Sequence, residues 1–155
     1  MKRSIALHFA LLLTMALAAF AGLSNNKAAY QGGTESDIPA NSEGYCTTGN
    51  EREFIFAFQN GQLVIPYDQI NDLEYGQDAA RRLTFSTAAN PFRLFTKKKK
   101  HFLTIGWKDE HAQQHAAVFE LGKSVVRPTI VTLEARTGRK VDYQDDAARK
   151  SLGSL

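Results

Sequence analysis

The residues from His101 to Val141 constrain the fold of this chain more than any others. They read HFLTIGWK, a polar turn DEHAQQ, then HAAVFELG, and after Lys123 the run SVVRPTIVTLEARTG. Alternation along an extended chain places Leu103, Ile105 and Trp107 on one face, and Ala117, Phe119 and Leu121 on one face of the next strand. Val126, Ile130 and Leu133 then recur at helical spacing and line one side of a helix. A hairpin and a helix with matching apolar faces bury them against each other. Ser124 is the expected cap of that helix, Pro128 falls near its start, Gly138 ends it, and Arg136 sits in the last turn, where a cation suits the helix dipole.

Upstream, Phe54, Phe56 and Phe58 alternate, Asn60-Gly61 follows, and Leu63, Val64 and Ile65 run to Pro66. Asn-Gly suits a two-residue hairpin turn with positive φ at both central positions, which predicts Phe58 opposite Leu63 and Phe56 opposite Ile65. Pro66 has no N–H and interrupts the ladder. Leu73 and Tyr75 alternate with Asp72 and Glu74 in a further strand. Residues 43–48 form another, turned by Thr48-Gly49-Asn50-Glu51. Residues 77–100 read as a long loop, and 142–155 as a polar tail that frays. Several antiparallel strands followed by one segregated helix predict an α+β fold, mostly antiparallel β, or a partly open barrel capped by a helix, rather than alternating βαβ units.

Residues 1–21 read as a signal peptide. Lys2 and Arg3 give a basic start, 5–20 is an apolar run, and Ala19, Ala21 and Gly22 suit cleavage, with Ala16-Leu17-Ala18 as an earlier cut. The competing reading is an uncleaved membrane anchor, since the run nearly suffices to span. The expected location is therefore exported, periplasmic or secreted, with membrane anchoring as the alternative. No Cys follows the run, so lipid attachment at the amino terminus is not indicated. Residues 22–42 are rich in Ser, Asn and Gly and read as a flexible linker with a short strand near 28–31; the domain proper is 43–141.

The formal charge of +3 includes Lys2 and Arg3, which leaves +1 for the processed chain. So small an excess sets up no field that draws in nucleic acid, and none is expected as a partner. Cys46 is the one cysteine, so no internal disulfide supports the domain. The core must do so, and at roughly 130 residues it can bury about two-thirds of the unfolded surface.

The step Ile65-Pro66-Tyr67-Asp68-Gln69-Ile70 and the hairpin-plus-helix finish from Phe102 to Gly138 resemble bacterial pleckstrin-homology-like and GRAM-type domains. Tyr30-Gln31-Gly32-Gly33-Thr34, Tyr75-Gly76-Gln77 and the helix end LEARTG are similar to motifs of uncharacterised secreted bacterial proteins. The resemblance implies two bent sheets capped by a helix and implies no reaction. Relatives of that fold bind lipid headgroups or peptides, and fold alone does not choose between them.

Lys97, Lys98, Lys99 and Lys100 are the one conspicuous charge cluster and the candidate ligand-binding strip, with Arg81, Arg82 and Arg93 near in sequence. Their expected ligands are anionic lipid headgroups or an acidic polymer; the plainer reading is a solvated loop end. At about 1 kcal/mol per lysine near an anionic surface, the four supply about 4 kcal/mol, near-millimolar binding. His111 and His115 are four apart, a metal-ligand spacing on a helix, but they lie where a turn enters a strand and no third ligand accompanies them, so no metal is expected. Cys46 with a histidine is a weak signal for a thiol enzyme or hydrolase; a buried small side chain or an intermolecular disulfide are the plainer readings. Asp109-Glu110 and Asp145-Asp146 are adjacent carboxylates in polar turns, poorly placed for shared acid–base work. There is no nucleophile elbow, no phosphate-cradling glycine loop and no C-x-x-C. The expected function is an exported, non-catalytic binding module without cofactor, with a protein partner as a further option. The alternatives are an envelope structural component or, less favoured, an enzyme using Cys46 or a histidine.

Overall fold

The computed structural model describes residues 26–77 and 100–154. The expected signal peptide, Lys97, Lys98 and Lys99, and Arg81, Arg82 and Arg93 lie outside them. The described elements are β1 (Lys27–Gly33), β2 (Ser42–Thr47), β3 (Glu53–Phe58), β4 (Gly61–Pro66), β5 (Ile70–Gly76), β6 (His101–Lys108), β7 (Gln114–Leu121), α1 (Lys123–Thr137), β8 (Asp142–Tyr143) and α2 (Asp146–Gly153). They build one eight-stranded sheet in the order β4-β3-β2-β1-β7-β6-β5-β8. All neighbours are antiparallel except β5 and β8. The fold is α+β, dominated by this open, mostly antiparallel sheet with helices at the carboxyl end.

The alternation at 103–107 and 117–121 works as expected. Leu103 stands opposite Phe119 and Ile105 opposite Ala117, and all four are fully buried. Tyr30 and Tyr75 extend the Leu103–Phe119 row on either side. α1 lies on this inner face with Val126, Ile130 and Leu133 buried, the stripe set by helical spacing, joined by Val125 and Thr129. Each fully buried aliphatic side chain contributes roughly 1.5–3 kcal/mol, so that stripe holds the helix more firmly than its termini do.

Those termini are only partly as expected. The helix starts two residues early: Gly122 is the N-cap, and no side chain caps it, so Ser124 is inside. Pro128 consequently lies in the helix interior, where its ring leaves the Ser124 carbonyl without its usual N–H donor. At the other end Gly138 takes φ 68°, and its N–H bonds the Glu134 carbonyl at 3.0 Å. That left-handed cap is the glycine role read from the sequence.

Three further expectations change. The β3–β4 hairpin turns on Gln59 and Asn60, with Phe58 opposite Gly61, Phe56 opposite Leu63 and Phe54 opposite Ile65. This is two residues away from the Asn-Gly register, and neither Asn60 nor Gly61 has positive φ. A slip of two leaves every side chain on its original face, so hydrophobic patterning could not discriminate the registers. The supposed linker contains β1, the strand that joins β2 to β7 and so unites the two halves of the sheet. The short strand expected near 28–31 is thus present, longer than expected and integral to the sheet, with Ala28, Tyr30 and Gln31 buried. Gly33, at φ 155°, lies so close to β7 that a Cβ there would overlap the Ala116 carbonyl oxygen.

The polar tail also folds. Residues 142–143 pair with Glu74 and Tyr75, and Asp145 caps α2 by accepting the Ala148 N–H at 2.7 Å. Ala148 and Leu152, four residues apart on one side of α2, are buried. The tail reads as unstructured because few apolar side chains anchor it: Ala148 and Leu152, with Tyr143 packed against the core.

Candidate functional site

An open cleft of about 680 Å³ crosses neighbouring ends of β1, β2, β3 and β7. Its shape follows from residue sizes along β1, β2, β3 and β7. Directly opposed residues of neighbouring strands share a face. Ala29 stands opposite Glu43 on one side and Glu120 on the other, so a methyl group lies between two carboxylates. In the next row Lys27 stands opposite Tyr45, which stands opposite Ala57. Small side chains thus form a floor, and Glu43, Glu120, Lys27 and Tyr45 rise around it. Phe58, which shares the inner face of β3 with Phe54 and Phe56, also borders the cleft. Tyr45 is 45% exposed, one of two large apolar side chains standing out among the described residues; the other, Val131, is on α1.

The cleft has mixed charge. Glu120 Oε2 accepts from Lys100 Nζ at 2.7 Å and from the buried Gln31 amide at 3.3 Å. Lys100, the last residue of the candidate basic strip, is therefore ion-paired at the cleft wall; the rest of the strip is outside the described residues.

The other candidates are dispersed. His115 lies on β7 between Glu35, with Nδ1 2.9 Å from Oε1, and Asp109, with Nε2 3.3 Å from Oδ2. Its ring stacks on Trp107 at 5.4 Å between centroids. Burial pulls the His115 pKa down, but hydrogen bonds and charge from Glu35 and Asp109 outweigh it and raise the pKa above the ordinary value. His111 is exposed in the preceding turn, and its backbone N–H bonds Asp109 Oδ1 at 2.9 Å. Asp109 also accepts the Gln113 N–H at 2.8 Å. This carboxylate shapes a turn, and the two histidines do not converge. Among the described residues, no group of three or more His, Cys, Asp or Glu side chains is arranged to hold a metal ion.

His101 Nδ1 lies within hydrogen-bond distance of the Tyr75 hydroxyl, 2.6 Å away, and Tyr75 Oη lies 3.0 Å from Ser151 Oγ on α2. Burial first, then the charge of Lys123, holds the His101 pKa below its ordinary value. This cluster fastens α2 to the sheet. Cys46, on the inner face of β2, is 2% exposed. Burial pushes its thiol up to about 11, against a hydrogen bond with Thr129 of α1. Such a thiol is protonated at neutral pH and faces no solvent, in line with the plainer reading of Cys46 as a buried small side chain. Asp145 is a helix cap, so neither pair of adjacent carboxylates forms an acid–base couple.

Sequence reasoning missed the cleft because its walls come from strands far apart in the chain. The usable signal was small residues at outward positions, Ala29 and Ala57, flanked by charged and aromatic ones. Among the described residues no helix is long and apolar enough to cross a membrane. No protein-family model and no curated protein sequence matches the chain.

Proposed function

We propose that this chain is a small exported, non-catalytic binding module of pleckstrin-homology-like architecture, whose open cleft takes a polypeptide segment carrying a basic side chain beside an apolar one. The cleft itself carries this reading. Its floor at Ala29 and Ala57 admits a side chain, Tyr45 offers an exposed aromatic surface, and Glu43 supplies a carboxylate at the rim. Mixed charge beside an aromatic ring suits a polypeptide better than a uniformly anionic surface, which calls for uniform positive charge. The strand order supports the architecture: β1 to β4 form one run, β5 to β7 a second, and a helix follows.

A second reading is an anionic lipid headgroup or acidic polymer met by Lys97, Lys98, Lys99 and Lys100. It is favoured by one observation, that this run ends at the cleft wall where Lys100 meets Glu120. Fluorescence anisotropy with labelled octapeptides, basic-aromatic against acidic-aromatic, separates the readings when paired with sedimentation of anionic and neutral liposomes. The peptide reading expects the basic series to bind, and Tyr45→Ala and Glu43→Lys to weaken it at least tenfold. Binding that survives both substitutions removes the cleft from the account. Binding only to anionic liposomes, lost when all four lysines become glutamine and in 1 M salt, establishes the basic strip instead. Binding to neither leaves a structural role in the envelope.

A further inference from the structure

His115 is held in a way that neutral imidazole cannot satisfy. A neutral ring has one N–H donor and one bare nitrogen. Here both nitrogens face carboxylate oxygens, Glu35 Oε1 at 2.9 Å and Asp109 Oδ2 at 3.3 Å. Only the imidazolium donates to both. Its loss of a proton turns one nitrogen lone pair toward an anion, so one of the two links must open.

The two carboxylates belong to different parts of the chain. Glu35 is the second residue of the connection 34–41 between β1 and β2, whereas Asp109 organises the β6–β7 turn through its bonds to the His111 and Gln113 N–H groups. Thr34 is tied to β7 by its backbone N–H, which donates to the Ala116 carbonyl at 2.9 Å, and its hydroxyl accepts the Ala116 N–H at 3.1 Å. Past Thr34 the Glu35 carboxylate is the next side-chain link from this connection to the hairpin. Other groups around the ring carry no charge: Thr34 from the β1–β2 connection, Trp107 from β6, and the Asn71–Gln114 amide pair joining β5 to β7. Lys108 and His111 are exposed, and no bond joins them to the ring. Charge on His115 is therefore governed by Glu35 and Asp109.

We propose that His115, Glu35 and Asp109 form a pH-operated clasp, which holds the connection 34–41 against the β6–β7 turn in acid and releases it in alkali. The clasp is independent of the cleft proposal and stands if the cleft binds nothing. Imidazole is the side chain of the three that ordinarily changes charge near neutral pH, so its proton operates the clasp.

Trp107 is the single tryptophan and stacks on the ring, so its emission reports the proton directly, because an imidazolium quenches a stacked indole. In the full chain, emission is expected to rise with pH about a midpoint above 6.5, the ordinary histidine value. Glu35→Gln and Asp109→Asn are each expected to lower that midpoint, and His115→Gln to abolish the titration. Amide hydrogen exchange across 34–41, corrected for intrinsic base catalysis, is expected to accelerate above the same midpoint in the wild type and to be pH-independent in His115→Gln. A midpoint at or below 6.5, or one unmoved by either carboxylate substitution, overturns the clasp. So does exchange at 34–41 that ignores the midpoint. Glu35→Gln lies in a surface connection and keeps the test available if His115→Gln does not fold.

Discussion

Glu134 Oε1 accepts the backbone N–H of Val141 at 3.0 Å, so the last turn of α1 holds the chain that enters β8. Helical spacing turns Glu134 away from the Leu133 stripe and suggests a solvated spectator. The structure gives it a job instead: the chain reverses at Gly138, Val141 is buried, and its N–H needs an acceptor.

Leu133→Ala is expected to destabilise by roughly 2–5 kcal/mol, from lost methylenes and the cavity left behind. Glu134→Ala should cost about 1–2 kcal/mol by orphaning the Val141 N–H, while Glu134→Gln, which keeps an acceptor, should lie near wild type. The Lys140 pair at 3.9 Å, with Lys140 88% exposed, adds little. Urea denaturation of the three variants checks this ordering, and equal losses for both glutamate substitutions would contradict it.

The seating of α2 rests on Tyr75 and Asp145. Tyr75→Phe should cost about 1 kcal/mol, because it removes the hydroxyl that links half-buried His101 and Ser151. Asp145→Ala should cost about 1 kcal/mol through the lost cap. Both should raise amide exchange in 146–153 ahead of the sheet; exchange that rises uniformly would mean α2 is not a separately opening unit.

Gly33→Ala is expected to be far worse than Gly138→Ala. Both glycines have positive φ, but only Gly33 also abuts a neighbouring backbone, at the Ala116 carbonyl. Gly138→Ala should cost roughly 1 kcal/mol, and Gly33→Ala about 2–4 kcal/mol. Thermal melts of the two variants test the difference.

The two described histidines with shifted pKa values oppose each other. His101 is lowered in the folded state, so its contribution is present above about pH 6.5, the ordinary histidine value, and is lost as pH falls below it. His115 is raised, so its contribution is complete below that value and is lost as pH rises through the folded pKa. Urea midpoints followed from pH 5 to 9 should lose part of their acid limb in His101→Asn and part of their alkaline limb in His115→Gln. The reverse assignment would show that the local charges have been misjudged.

Cys46 should resist alkylation by iodoacetamide at pH 8 in the native protein and react readily in urea. Rapid native labelling would place the thiol at the surface, contrary to its position between β2 and α1.

Much of the core was legible in the chain. Phe54 and Phe56, Leu103 and Ile105, Phe119 and Leu121, and the stripe of Val126, Ile130 and Leu133 are buried where period 2 and period 3.6 place them. The Gly138 cap was legible too, since a left-handed residue after a helix is a local demand met by a local residue. The β3–β4 register was not, because slipping two residues costs no change of face. The candidate site was barely legible: the four lysines stand out in sequence, yet the one described, Lys100, is engaged with Glu120.

What the sequence by itself determined is which face of each strand and helix is apolar, because side-chain direction depends only on backbone geometry and residue type. Tertiary structure alone decided that β1 lies between β2 and β7, that Ala29 separates Glu43 from Glu120, and that Glu35 reaches His115 across eighty positions of chain. These juxtapositions depend on which strands pair and in what register. Many strands of similar apolar pattern can satisfy that pairing locally, and only the joint burial of all their inner faces against α1 and α2 selects one arrangement.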